Sequence, residues 1–208
     1  TTSFGEGTRT RLSGGIKDVE MTIDGFYDES ASQMDELFNS LIGGSAYMGF
    51  YPSGSAASAK GREFGGAVTD YSTPLAVADA AAVSVTVTTN AAGIGLIGAT
   101  SLGGSATNVT ASAALSSVDF SGSGATSYGI FRVFVISGVT PQISACLQES
   151  ADDSAWTTIG VFTTASVGNT AEQITLTSAS RYRRAKYIMA ASSGTPTATF
   201  HVSCGSVL

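Results

Sequence analysis

The sequence predicts a mainly β protein, with one short α-helix in its first half and a β-sandwich as its second. Three patterns carry this prediction. Apolar and polar residues alternate with period two over 17–27 and 83–88, as half-buried strands require. One stretch, around residues 34–41, changes to the helical period. From residue 128 onward, strand-like runs recur between turn-rich pieces, the spacing of a sandwich of about 100 residues.

The elements follow in order. Over 17–27, Val19, Met21, Ile23 and Tyr27 share one face, and Asp18, Glu20, Thr22 and Asp24 the other. Met34, Leu37, Phe38 and Leu41 form a single apolar helical stripe. Ser30 and Gln33 supply a capping box, and Gly43-Gly44 a stop. Strands are predicted at Ala46–Tyr51 and about Glu63–Ser72, joined by the small-residue loop "PSGSAASAKG". That loop has no side chain to pack and is expected to order only on assembly. Val83, Val85 and Val87 mark a further strand. Residues 90–126 are dominated by Ala, Gly, Ser and Thr, which places a boundary near Gly103-Gly104. The units expected are 1–100, a linker and first-strand region over 101–127, and a sandwich over 128–208. In the last, "YGIFRVFVISGV" (128–139) is apolar on both faces, as a central strand would be.

Composition bounds the function. The 208 residues are 43% hydrophobic and 12% charged, which suits a folded chain with a substantial core. The net charge is −6. Residues 1–104 hold 11 acids and 5 bases, and residues 105–208 hold 5 of each, so the whole surplus lies in the first half. No basic cluster is dense enough to grip nucleic acid by its phosphates. No apolar run approaches the roughly 18 residues of a membrane-spanning helix, and no targeting segment is visible. Cys146 and Cys204 form neither a disulfide framework nor a zinc spacing, and are expected to be two buried free thiols.

Candidate chemistry is sparse. His201, the single histidine, lies between Phe200 and Val202 and is expected on a strand surface. Residues 93–98 spell the dinucleotide fingerprint Gly-x-Gly-x-x-Gly, but no helical pattern follows them. Asp24, Asp28, Glu29, Asp35 and Glu36 do not match a calcium loop; they suit a polar strand face and a helix cap. Arg181, Arg183, Arg184 and Lys186 are the one basic cluster. On a strand, Arg184 and Lys186 share a face, while Arg183 points the other way with Tyr187. Asn108-Val109-Thr110 is a formal glycosylation sequon. No catalytic residue, metal site or cofactor is predicted, and the chain is read as a non-enzyme.

Four short motifs then stand in a telling order: Thr2-Ser3-Phe4-Gly5, Gly15-Ile16-Lys17-Asp18, Asp24-Gly25-Phe26 and Tyr51-Pro52. With the helix between the last two, residues 1–90 resemble the major tail tube proteins of long-tailed bacteriophages. The resemblance implies a tail-tube-type β-sandwich or barrel, with family strands that precede Thr2 absent from this sequence. It implies stacked rings of identical subunits, hexameric in the family, forming a conduit around the tape measure protein. Tail-end proteins would be further partners, and DNA would pass without specific contact. The location implied is the virion tail, assembled in the host cytoplasm without membrane insertion. On this reading Asp18, Glu20 and Asp24 face the lumen or a neighbouring subunit. The loop residues Ser53, Gly54, Ser55, Lys60 and Arg62 are the candidate inter-ring contact. Residues 147–160, "LQESADDSAWTTIG", resemble a strand–turn–strand of the immunoglobulin-like or carbohydrate-binding-like sandwiches appended to phage structural proteins.

Two other readings stay open. One is a carbohydrate-binding or adhesion module on a phage or cell surface, with Tyr128, Trp156, Tyr182 and Tyr187 stacking on sugar rings; aromatics also serve as core. The other is a hydrolase built on the acidic cluster.

Overall fold

The fold is that of a computed structural model, which describes residues 19–26, 42, 44–72, 82–89, 97–104, 109–121, 127–176 and 180–207. It is mainly β, in two antiparallel sheets, with no helix among the described residues. The helix expected around Met34–Leu41 lies outside them, as do Asp18 and Tyr27.

The strands are β1 (Glu20–Phe26), β2 (Ser45–Phe50), β3 (Lys60–Ser72), β4 (Ala82–Thr89), β5 (Ile97–Gly103), β6 (Ala113–Ala114), β7 (Val118–Asp119), β8 (Ser127–Val139), β9 (Gln142–Ser150), β10 (Thr157–Val161), β11 (Thr170–Leu176), β12 (Tyr182–Ala190) and β13 (Ser193–Val207). The larger sheet runs β1-β4-β3-β5-β13-β8-β11, with β2 also on β3. The smaller runs β10-β9-β12-β6, with β7 also on β12.

The long β3 is the branch point. Its start, Lys60–Glu63, pairs with β5, and its end, Gly66–Ser72, with β4. Arg62 and Glu63 pair with β5 and β2 at once, and Gly66 and Ala67 with β4 and β2. β4 and β5 therefore share one edge of β3, and β2 takes the other.

Alternation explains the cores. Val83, Val85 and Val87 of β4 are fully buried with Phe64 and Val68 of β3, and Val19, Met21 and Ile23 pack against them. A larger core lies between the two sheets. It joins Leu102, Phe131, Val133, Leu176, Phe200 and Val202 of the large sheet to Ile143, Ala145, Leu147, Ala185 and Tyr187 of the small one. Tyr187 and Phe200 meet at 4.9 Å between ring centroids, within the range favoured by aromatic pairs. Ile97, Ala99 and Ile130 form a third core on the opposite face of the large sheet, under Tyr51 and Tyr128.

Position 100/101, the expected end of the first unit, falls inside β5. That strand is paired on both sides, to β3 through Ile97–Thr100 and to β13 through Ile97–Gly103. Its small residues suit close backbone approach: a Cβ on Gly205 would lie 2.3 Å from the Gly98 carbonyl oxygen. Gly205→Ala is therefore expected to separate β13 from β5 and to cost about 1–3 kcal/mol, as overpacking does. Urea unfolding with tryptophan fluorescence measures it.

Candidate functional site

The polar centre of the molecule is assembled around Glu63. This carboxylate is fully buried. Its Oε1 accepts from Arg132 Nη1 and from the Tyr51 hydroxyl, both at 2.6 Å. Its Oε2 accepts from the Ser203 hydroxyl at 2.8 Å. Four elements thus converge: β3 gives Glu63, β8 gives Arg132, β13 gives Ser203, and the residue after β2 gives Tyr51. The pair is charge-assisted and short, the stronger kind of hydrogen bond.

Two glycines make room for these donors. Gly49 lies opposite Glu63 in the β2–β3 register, and a Cβ there would meet Arg132 Nη1 at 3.0 Å. A Cβ on Gly61 would lie 2.6 Å from the Tyr51 ring and 2.8 Å from the Phe50 carbonyl oxygen. Tyr51 is therefore folded over Gly61 onto the sheet. Burial, and then the Glu63 charge, raise its phenol far above the usual range.

His201 sits beside this cluster, directly across from Arg132 in the β8–β13 register. It is buried, which corrects the expectation of a surface strand. The reason is the Tyr51 hood: its ring meets the imidazole edge-on at 5.0 Å, so this face of β13 is covered as well as the sandwich face. Burial lowers the imidazole pKa to about 4, so His201 is neutral at pH 7.

His201 Nε2 and Ser101 Oγ are 2.9 Å apart, a spacing that a nucleophile–base pair would also show. The surrounding bonds assign a different role. Ser101 Oγ donates to the Ser55 carbonyl at 2.7 Å and accepts from the Gly103 N–H. A hydroxyl has one proton to give, so His201 is the donor through Nε2–H. Ser101 is fully buried. The pair is a structural tie, and an imidazole already protonated on that nitrogen is no base toward Ser101.

The remaining predicted residues fall in three places. Glu20 and Asp24 are exposed on β1, and Asp24 Oδ1 accepts from the Ser84 hydroxyl. Ser53, Gly54 and Ser55 close the turn between β2 and β3. This loop is already tied down within one chain, by Gly54 N–H to the Tyr51 carbonyl, Ser58 N–H to the Ser101 carbonyl, and Ser101 Oγ to Ser55. Ser101 gives the loop an anchor that its own side chains lack. Lys60 and Arg62 are exposed on β3, with Lys60 Nζ bonded to Thr100 Oγ1 at 3.0 Å.

The basic cluster divides as its alternation predicts. Arg183 and Tyr187 are buried, and Arg184 and Lys186 face outward. Arg181 makes a forked contact to Asp119, which holds that carboxyl down to about 2. Arg183 donates to Ser127 Oγ and Cys204 Sγ. Cys204 is buried as expected, and burial raises its thiol pKa; Cys146 is only half-buried, since it lies on the outer face of β9 with Ser144 and Gln148.

The four aromatics of the sugar-platform reading do not come together. Tyr187 is buried in the main core, and Tyr128 packs on the opposite face of the large sheet. Trp156 and Tyr182 are covered by the guanidinium groups of Arg184 and Arg181, at 4.1 and 5.0 Å from the ring centroids. Of the acids in the hydrolase reading, only Asp24 lies among the described residues. Ile97 and Gly98 of the dinucleotide-like motif belong to β5, a strand.

No protein-family model, curated protein or solved structure matches this chain.

Two outcomes test the site. Glu63→Gln leaves Arg132 buried without its counter-charge and is expected to cost about 3–5 kcal/mol in urea unfolding. Glu63→Gln combined with Arg132→Met should cost less than the sum of the single changes, because the two share one interaction. For His201, the folded pKa of about 4 lies below the ordinary 6.5. Its contribution to stability is thus complete above pH 6.5 and is lost as pH falls from there to about 4, because the unfolded chain takes up the proton first. Melting temperatures across that window should fall, and His201→Gln, which keeps an N–H donor for Ser101, should flatten the fall.

Proposed function

We propose that this chain is a structural virion protein whose identical copies join into stacked rings, six to a ring in the family it resembles, forming a phage tail tube. The tube would enclose the tape measure protein, meet tail-end proteins at its ends, and later let DNA pass. One observation supports self-association above others. Among the described residues, the last part of β8 is an open strand edge with apolar side chains nearby. β11 pairs with residues 127–133 of β8, and the Asn169 N–H still donates to the Phe134 carbonyl at 3.2 Å; past that contact no described strand takes this edge, while β13 continues along the other. In this half of β8, Phe134, Val135 and Val139 are 44%, 56% and 55% exposed. An uncovered edge of this composition is a template for pairing with another chain. The exposed acids Glu20 and Asp24 of β1 give a second edge of negative character, suited to a wall that repels passing DNA.

Negative-stain electron microscopy and sedimentation of the purified chain are the test. Annular or tubular particles with a central hole are expected. Val135→Lys, at a position more than half exposed, should shift the material to monomer while leaving the melting temperature within a few degrees. A wild-type chain that stays monomeric at high concentration would overturn the proposal.

A further inference from the structure

We propose that the cleft beside the Glu63 cluster binds a neutral polyhydroxylated ligand, a saccharide unit in chemical class. The cleft has a volume of about 340 Å³ and is lined by Tyr47, Met48, Tyr51, Arg132, Phe134 and His201, among others. Small-ligand sites share this character: mostly apolar walls with a few placed polar groups.

Two polar groups at the cleft have bonding capacity left. Arg132 carries five N–H donors, and its contacts to Glu63 and to the Met48 carbonyl use two. The side chain is only 10% exposed and borders the cleft, so a ligand there meets the Nη donors that these two contacts leave over. His201 spends its Nε2–H on Ser101, which leaves Nδ1 as an acceptor. The two residues stand opposite each other on β8 and β13, and both line the cleft.

Charge selects the ligand class. Glu63 balances Arg132, and His201 is neutral, so the wall carries no net charge. An ion entering such a site loses its hydration without gaining a counter-charge. A sugar hydroxyl fits better. Its oxygen accepts from the guanidinium while its proton is donated to Nδ1, a double role that a carboxylate cannot fill; a phosphate dianion is disfavoured by its charge. The C–H face of the ring would then pack on Tyr47, Tyr51 and Phe134. This site is separate from the Trp156 surface, and binding there does not require ring assembly.

The experiment is an NMR titration of the full chain with glucose, galactose and N-acetylglucosamine, with glucuronate and inorganic phosphate as charged probes. The Arg132 Nε–H and the His201 ring resonances are read directly. At least one neutral sugar is expected to give saturable shifts at both, with weaker or no saturation for the charged probes. Tyr47→Ala should weaken that binding about tenfold or more, with the circular dichroism unchanged. If Tyr47→Ala does not fold, Phe134→Ala serves the same purpose. The proposal is overturned if no neutral sugar saturates at tens of millimolar, if a charged probe binds more tightly, or if the folded variant binds as well as wild type.

Discussion

A single buried carboxylate sets the register in which the two halves of this chain meet. Glu63 can be buried as an anion only because Arg132, Tyr51 and Ser203 all donate to it. Arg132 and Ser203 are 69 and 140 residues away in sequence, in the other half. Removing β3 or β8 would strand one charge of the pair in an apolar interior. The cluster therefore acts less as a source of net stability than as a condition on register: β3 and β8 must align so that acid and base meet. The same constraint explains the glycines. Gly49 and Gly61 flank Glu63 because any larger residue would block Arg132 or Tyr51.

The placement of polar groups also separates structure from surface. His201 and Ser101 resemble catalytic parts in spacing, but the proton inventory turns them into a tie between β13, β5 and the β2–β3 turn. Surface opportunity lies elsewhere, at the end of β8 left open among the described residues and in the cleft beside Arg132. Phe134 belongs to both, since it is exposed on the edge and also lines the cleft. A neighbouring copy docked on β8 would thus stand close to any ligand in the cleft.

Much of the strand content was legible in the sequence. The alternation at 17–27 gave the outward Glu20 and Asp24 and the inward Met21 and Ile23, and that at 182–187 separated Arg183 from Arg184. Each of those strands has one apolar face, and period two reports it directly. The β5 pairing was not legible, because Ile97–Gly103 joins its neighbours by backbone hydrogen bonds and close glycine contacts that side-chain patterns do not report. His201 was misplaced because alternation assumes that the face opposite Phe200 and Val202 is wet. The buried pair did leave a trace. "YGIFRVFVISGV" reads as a central strand apolar on both faces, and Arg132 in its middle demands a buried acid. Glu63, the acid that opens the run "EFGGAV", answers it.

Native-state hydrogen exchange with residue resolution tests the central claim most directly. If the Glu63 cluster and β5 join the halves into one cooperative unit, amides of β3 and β5 will exchange with the same opening free energy as those of β8 and β13. All four should then shift together in Glu63→Gln. Should β3 and β5 open in a separate, lower-energy step that leaves β8 and β13 fully protected, the chain consists of two independent units and the account fails.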